Sequence, residues 1–423
     1  MKVCVVGAGI VGCATAYQLA LQGCEVHLVD SDRGPGRGTS FANGAQLSYS
    51  YVEPLASPAT LLGLPSMLLS RDSPLRFRLR LDASQWWWCL KFLSACNARQ
   101  SRQGTRELLM LAQLSRATLE AWMHREAWRF SFQRNGKLVL CPDADTLQRQ
   151  AAQVRFQSDL GCQQAVLSPQ ACVDKEPALG GYLGRFSGGV WTADECVGDP
   201  HALSLQMTES LLRLGGQVHF ETAVTGFSVK GGRIVAAQTP GGALDADVFV
   251  IANGAAAPKL AASVKVSLQI CPIKGYSITL PIRSTEKAPS VSVTDLGRKT
   301  VFAPLGGRLR VAAMAEVVGH DLSIPPSRIQ QMVKAADTLF PGACEFHETQ
   351  PWAGLRPATP TAVPVIGQMG PANLYVNAGH GALGFTLAAG SAVVLGRQIM
   401  SHWPLRESME RITETSTECG APS

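Results

Sequence analysis

A glycine-rich turn close to the N-terminus limits what this chain can fold into more than any other feature. Lys2–Val6 reads KVCVV, an apolar, β-branched run that suits a buried strand. GAGIVG follows, and Ile10 to Gln22 has helical spacing closed by Gly23. EVHLVD is a second strand ending at Asp30. The three pieces form a β-α-β unit, and in that setting Gly7-x-Gly9-x-x-Gly12 is the spacing of a dinucleotide site. Gly7 permits the sharp turn, Gly9 lets the backbone approach a pyrophosphate, and Gly12 lets helix and strand pack closely. Ile10 and Val11 open the helix, whose free N–H groups and partial positive charge favour phosphate. Asp30, with Ser31 beside it, stands where a ribose hydroxyl is bound. The turn does not by itself separate FAD from NAD.

At 423 residues the chain exceeds one compact core, so two domains are expected. With 46% hydrophobic and 17% charged residues it is neither disordered nor fibrous. A net charge of +6 is too diffuse to argue for nucleic acid, though it suits an anionic substrate or membrane surface. No basic, then apolar, leader precedes the first strand. No apolar run approaches the roughly 20 residues a spanning helix needs; the run at 61–69 is broken by Gly63 and Pro65. The twelve cysteines lack C-x2-C spacing, and the eight histidines lack an H-x3-H pair. Core or inert thiols in a reducing cytoplasm, and no metal site, are expected.

Further along, residues 31–58 are rich in glycine, proline and small polar residues, as suits a loop lining a ligand. QWWWCLKFL and RELLMLAQLSRATLEAWMHR carry helical apolar spacing, and so does 199–214. QVHFETAVTGFSV, RIVAAQT and ADVFVIANG read as strands, and 270–320 alternates like an antiparallel sheet. A helix near Arg328–Leu339, a strand at NLYVNAGHG and a helix at 386–400 complete the pattern. Nucleotide-type elements thus sit at the start, middle and end, which implies two discontinuous domains.

Four stretches carry a resemblance that spans nearly the whole chain. They are GAGIVG with the Asp30 strand; Thr39–Ser48, TSFANGAQLS; KGYSITLPI with RVAAMAEVVG; and WAGLRP, Val365-Ile366-Gly367 and NAGHGALGFT. Together they resemble the D-amino acid oxidase-like FAD oxidoreductase superfamily, and within it the bacterial D-amino acid dehydrogenase small-subunit family. The resemblance implies an α/β fold: a Rossmann-like, glutathione-reductase-type FAD domain from 1–58, 190–257 and 350–403. It also implies a mixed antiparallel-sheet α+β substrate domain from 59–189 and 258–349, with 404–423 a frayed polar tail. In the family the second stretch runs along the pyrophosphate toward the flavin, which carries Thr39, Ser40, Asn43, Gly44 and Gln46 over as cofactor residues. Gly44 and Ala45 stand in exchanged order relative to the family's TSxANAGQxS.

Gly254 suits a backbone passing close to the adenine side of the cofactor. Gly379, Gly381, Gly384 and Thr386 precede or open the last helix, whose dipole would face the flavin's pyrimidine end. Some relatives attach flavin through a cysteine in this region. Residues 354–367 contain no cysteine, so noncovalent FAD is expected.

By the same resemblance, Arg356 holds a substrate carboxylate through its planar guanidinium, Tyr276 hydrogen-bonds that carboxylate, and His380 lies beside the flavin. Lys274, Tyr49 and Tyr51 are further candidates for the substrate pocket. The implied chemistry is hydride transfer from the Cα of a D-amino acid to flavin, then hydrolysis of the imine to a 2-oxo acid and ammonia. Electrons are expected to leave to a quinone or the respiratory chain. Residues 71–106 hold eight Arg or Lys against two acids, with Trp86, Trp87 and Trp88 among them. Peripheral contact with the cytoplasmic face of the inner membrane competes there with a buried helix bearing a solvated basic face. Two alternatives stay open: an oxidase or dehydrogenase of glycine, sarcosine or proline-type secondary amines, and a non-catalytic flavin-binding subunit.

Overall fold

The computed structural model describes residues 1–52, 56–58, 60–61, 75–78 and 82–402. The expected tail at 404–423, most of the apolar run at 61–69 and part of the basic stretch 71–106 lie outside these residues.

One sheet has six strands, in the order Val365–Gln368, Leu374–Ala378, Val248–Ile251, Lys2–Val6, Glu25–Val29 and Gln217–His219. All pairings are parallel except that of the edge strand Val365–Gln368. The first strand is apolar throughout because both its faces are covered. Val3 and Val5 point into one core layer, Cys4 and Val6 into the other. The first layer holds the helices Ile10–Leu21, Pro200–Arg213 and Gly384–His402. The second holds a three-stranded sheet from Gly226 to Leu244 and the short helix Ala257–Ala262. Asp199 caps the helix Pro200–Arg213 by accepting N–H bonds from His201 and Ala202, with Pro200 at its first turn.

The segment Gly381–His402, which includes the helix Gly384–His402, meets the length and apolarity of a membrane span, contrary to the expectation that no run would. It is mostly buried inside the fold. At Gly390 an added Cβ would lie 2.6 Å from the carbonyl oxygen of Leu111, so the long helix Ala98–Glu126 crosses it at backbone contact. That helix puts Leu108, Leu109, Ala112, Leu119 and Trp122 into the dinucleotide-side core, not the substrate-side core the sequence pointed to.

The second sheet has nine strands and is mainly antiparallel. Its order is Gln350–Ala358, Cys271–Pro281, Arg308–Val317, Thr300–Leu305, Ser292–Asp295, Lys137–Cys141, Gly188–Thr192 and Ala165–Leu167, with Leu75–Phe77 also beside Arg308–Val317. The helix Pro326–Leu339 covers one face through Met332, Ala335, Ala336 and Leu339. Two boundaries move as a result. Gln350–Ala358, expected in the dinucleotide unit, pairs along its whole length with Cys271–Pro281. Gly188–Thr192, placed astride the boundary at 190, pairs with Lys137–Cys141. Ladder hydrogen bonding, not chain continuity, decides which sheet a strand joins.

Candidate active site

The parallel strands Lys2–Val6, Val248–Ile251 and Glu25–Val29 end at one edge of the first sheet, where a ligand crevice is expected. Gly7, Ala252, Asn253, Gly254 and Asp30 stand there. From that edge a cavity of about 1370 Å³ runs to Gly275 and Arg356 on the second sheet. Gly9, Ile10, Val11, Ser31, Thr39, Ser40, Asn43, Gly44 and Gln46 line it, as do Gly379, His380, Gly381, Gly384 and Thr386.

The three glycines of the first turn differ in their surroundings. Gly7 has φ +109°, and an added Cβ would lie 2.6 Å from the Asn253 backbone. At Gly12 it would lie 1.7 Å from the carbonyl oxygen of Gly7. At Gly9 it would meet only Ser40 Oγ, at 3.5 Å. The first and third therefore pack the turn, while the second presents bare backbone to the cavity. Ile10 N–H donates to Ser40 Oγ at 3.0 Å, tying the helix start to the following loop. The Asp30 carboxylate accepts N–H bonds from Ala8 at 2.5 Å and Asp32 at 2.9 Å, and burial raises its pKa against those bonds.

Thr39 to Ser48 crosses from one sheet to the other. Thr39 Oγ1 donates to the carbonyl of Leu355 at 2.7 Å, beside Arg356. Asn43 Oδ1 accepts the N–H of Ala45 at 2.7 Å. Arg310 Nη1 donates to the Asn43 carbonyl at 3.0 Å. Ala45 has φ +59°. The left-handed conformation thus stays at the position where the resembled pattern has glycine, and Gly44 takes none of it. Ser48 N–H donates to Thr386 Oγ1 at 3.0 Å, joining this loop to the start of the last helix.

Arg356 lies over Gly275, where an added Cβ would approach the guanidinium to 2.5 Å. Its Nη1 donates to the Met314 carbonyl at 2.8 Å. Among the described residues no carboxylate pairs with it, and desolvation lowers its pKa. His380 is buried, its pKa is pushed down to about 3 by burial, and it is therefore neutral. His380 Nε2, Asn253 Oδ1 and Asn377 Oδ1 are buried, line the cavity and find no hydrogen-bond partner among the described residues. Bare backbone at Gly9, a helix N-terminus and unpaired polar atoms along one cavity fit a long, polar, doubly phosphorylated cofactor.

Three candidates are placed differently from the sequence reading. Tyr276 is 1% exposed and packs with Ile278, Leu280 and Met332. Its hydroxyl donates to Glu316 Oε2 at 2.7 Å, and Glu316 Oε1 is held by Arg328 at 2.6 Å. Tyr276 also lines the cavity, and its hydroxyl is committed to Glu316 in this structure. Lys274 is buried beside it, 5.0 Å from the Tyr276 ring centroid and 3.8 Å from Asp321. Tyr49 lies in the dinucleotide-side core, with its N–H on Glu195 Oε2 at 2.8 Å. The alternation of strand Cys271–Pro281 explains the first: Gly275 and Ser277 face the Thr39–Ser48 loop, so Tyr276 faces the core.

Tyr51 does line the cavity, and Lys137 Nζ stands 4.4 Å from its ring centroid. Sequence reasoning missed Lys137. Its ammonium donates to Gln46 Oε1 at 3.0 Å and Ser48 Oγ at 2.9 Å, and burial lowers its pKa to about 8. Buried Glu195 faces it and accepts the N–H groups of Tyr49, Ser50 and Tyr51. The only sequence signal was a lysine at the head of the apolar strand KLVLC.

The model of the FAD dependent oxidoreductase family matches residues 2–398. D-amino acid dehydrogenase 2 of Ralstonia nicotianae is 44% identical over 414 residues, covering 96% of this chain and 97% of that protein. Among solved structures, glycine oxidase from Bacillus cereus aligns with TM-score 0.73 at 19% identity, covering 95% of both chains. L-proline dehydrogenase from P. horikoshii aligns with TM-score 0.74 at 17% identity, over 95% of this chain and 93% of that one. The two solved structures share the fold, and the match along nearly the whole length shows that the chain belongs to the FAD dependent oxidoreductase family.

Proposed function

We propose that the chain is an FAD-dependent dehydrogenase of D-amino acids, forming 2-oxo acids and ammonia. The observation that carries this reading is Arg356, a desolvated guanidinium on the second-sheet side of the cavity with no carboxylate partner among the described residues. A half-buried, desolvated cation without a counter-charge favours an anionic ligand. The planar fork can take a substrate carboxylate through two parallel hydrogen bonds. The Met314 carbonyl holds the guanidinium through Nη1, and Gly275 leaves room beneath it.

FAD, held by Gly9, Ile10, Val11, Ser31 and the Thr39–Gln46 loop, supplies the hydride acceptor. With the carboxylate on Arg356, the substrate's Cα and amine are oriented by a single anchored end. Neutral His380 adds no positive charge that would disfavour a protonated amine entering, and its Nε2 offers an acceptor to an N–H. Lys137 places a cation against Gln46 and Ser48, on the loop bonded to Thr386, where it favours negative charge developing on a bound ring. We further propose noncovalent attachment, since 354–367 offers no cysteine thiol. The electrons pass to a membrane quinone, with the chain peripheral on the cytoplasmic face of the inner membrane.

Anaerobic mixing of the FAD-loaded protein with D- and L-amino acids, glycine, sarcosine and proline tests the reading. Bleaching of the flavin absorbance by D-amino acids alone is the expected result. Bleaching by glycine, sarcosine or proline alone would move the chain to secondary amines, and no bleaching by any amine would leave a flavin-binding subunit.

A further inference from the structure

Lys137 carries a buried charge whose surroundings turn it toward the cofactor loop. It is 4% exposed at the head of the strand Lys137–Cys141, opposite Ser292 on one neighbouring strand and Thr192 on the other, both uncharged. Among the described residues its ammonium meets neutral partners. Gln46 Oε1 accepts from it at 3.0 Å, Ser48 Oγ at 2.9 Å, and the Tyr51 ring centroid lies 4.4 Å away. The Gln46 amide is oriented for this contact. Its Nε2 donates to Ser292 Oγ and, at 3.4 Å, to Thr294 Oγ1, which leaves Oε1 for the lysine. Gln46, Ser48, Tyr51 and Lys137 all line the cavity.

Glu195 stands behind this group and is 1% exposed. Its Oε2 accepts the Tyr49 N–H at 2.8 Å, and its Oε1 accepts those of Ser50 at 2.8 Å and Tyr51 at 3.0 Å. Its charge favours the Lys137 ammonium while burial opposes it, and burial wins: the lysine titrates at about 8. The thiols of Cys162 and Cys196 and the phenol of Tyr49 surround Glu195, and burial raises the pKa of all three. Arg116 and Glu120, which act on Cys196 and Tyr49, pair with each other. Arg149 and Lys299 line the same cavity from exposed positions, and burial lowers the pKa of Lys299.

We propose that Lys137 is a proton-linked tuning residue for the flavin: where its amine is neutral it takes a proton from solvent as the ring is reduced, and Glu195 is the positioning residue that sets the pH at which this happens. The inference rests on the reading of the cavity as the FAD site, and not on which amine is oxidised. Hydride uptake brings the ring two electrons and one proton and leaves it one negative charge. With Lys137 already charged, nothing more is consumed. With Lys137 neutral, a second proton goes onto Nζ and balances the new charge. Linkage is reciprocal: the reduced ring holds the proton on Lys137 as strongly as that proton holds the electrons on the ring. A charge removed from water makes this coupling larger than a surface lysine could.

Midpoint potentials of the full-length, FAD-loaded protein, poised against redox dyes from about pH 6 to about pH 9 with no amine present, test this. In the wild type the fall of potential with pH should steepen above about pH 8 by up to about 30 mV per unit, the tenfold-per-unit effect of one added proton on a two-electron couple. Lys137→Arg, charged at every pH used, should keep the potential near neutral pH and lose the steepening. Lys137→Met should lose both. It should bind reduced flavin about tenfold less tightly relative to oxidised flavin, which puts the potential about 30 mV more negative near neutral pH. Glu195→Gln should move the onset of steepening to lower pH, and an unmoved onset removes Glu195 from the proposal. Absence of steepening in the wild type, which depends on no variant folding, overturns the whole. So does its persistence in Lys137→Arg, which would assign the proton to Lys299 or another group. A wild-type potential in Lys137→Met also overturns it, because the lysine would then only brace the Gln46 loop. Steepening in a protein whose flavin no amine bleaches leaves the inference standing and removes the dehydrogenase reading instead.

Discussion

Arg356 Nη1 donates to the carbonyl of Met314 at 2.8 Å, and Met314 has φ +71°. The pairing of Cys271–Pro281 with Arg308–Val317 shifts register there, from Tyr276 opposite Ala313 to Lys274 opposite Glu316. A bulge of this kind re-aims backbone groups beside a site. Here it turns a carbonyl onto the guanidinium, and Glu316, two residues on, locks the bulged strand through Tyr276 and Arg328.

Replacing Arg356 separates substrate binding from cofactor binding. Each charge-assisted hydrogen bond to the carboxylate contributes about 1.5–3 kcal/mol. Arg356→Ala should therefore lower kcat/KM for a D-amino acid by about a hundredfold or more, mainly through KM. Arg356→Lys, which keeps charge but loses the fork, should recover only part of it. Steady-state rates with a dye acceptor, alongside the flavin absorbance per chain, check both: the flavin content should not change.

Tyr276→Phe gives the opposite pattern. Removing the hydroxyl leaves the buried Glu316 one donor short, at a cost of about 1–3 kcal/mol. A lowered Tm with KM within about threefold of wild type is expected, because Tyr276 positions the strand beneath Arg356. A rise in KM comparable to that of Arg356→Ala, with Tm unchanged, would put the hydroxyl on the substrate after all.

His380 makes stability depend on pH. Its ordinary value of 6.5 is pushed down to about 3 by burial in the fold. As pH falls below 6.5 the unfolded chain takes up a proton that the folded chain does not. Stability is therefore lost progressively from pH 6.5 toward about 3, with a slope of at most about 1.4 kcal/mol per pH unit. Urea midpoints of the FAD-saturated protein and of His380→Asn, taken at about pH 6.5 and about pH 5, should diverge. The variant should lose up to about 2 kcal/mol less over that interval.

Ala45 carries a strain that glycine would relieve. A non-glycine residue in the left-handed region costs about 1–2 kcal/mol, offset in part by the greater unfolded-state freedom of glycine. Ala45→Gly should raise stability by about 0.5–1 kcal/mol without changing flavin content. Gly44→Ala should be tolerated: its Cβ would meet Ala312 at 3.6 Å, an ordinary contact. Thermal unfolding of the two variants checks this pair.

Acid precipitation tests the attachment of the cofactor. With noncovalent FAD, the yellow colour goes to the supernatant after denaturation and centrifugation. Flavin remaining in the pellet would point to a covalent bond from a residue outside 354–367.

The sequence determined what depends on local chain geometry. The GAGIVG turn needs glycine at three positions for three separate steric reasons, and a strand apolar on both faces must lie inside a covered parallel sheet. Family-specific stretches such as WAGLRP extended that legibility to the cofactor and singled out Arg356, which lines the cavity. Only the tertiary structure decided which face each residue presents. Tyr276 and Gly275 are neighbours in the chain, yet strand alternation sends one to the core and the other beneath Arg356. Lys137, in an apolar strand, meets Gln46 and Ser48 only because strands Lys137–Cys141 and Ser292–Asp295 pair beside that loop. Contacts between residues some ninety positions apart are set by sheet pairing and packing, and no local propensity encodes them. The same holds for the helix Ala83–Ala95, where the sequence left a surface reading and a buried reading open and the fold shows that Gln85, Trp88, Phe92 and Ala95 are the packed residues.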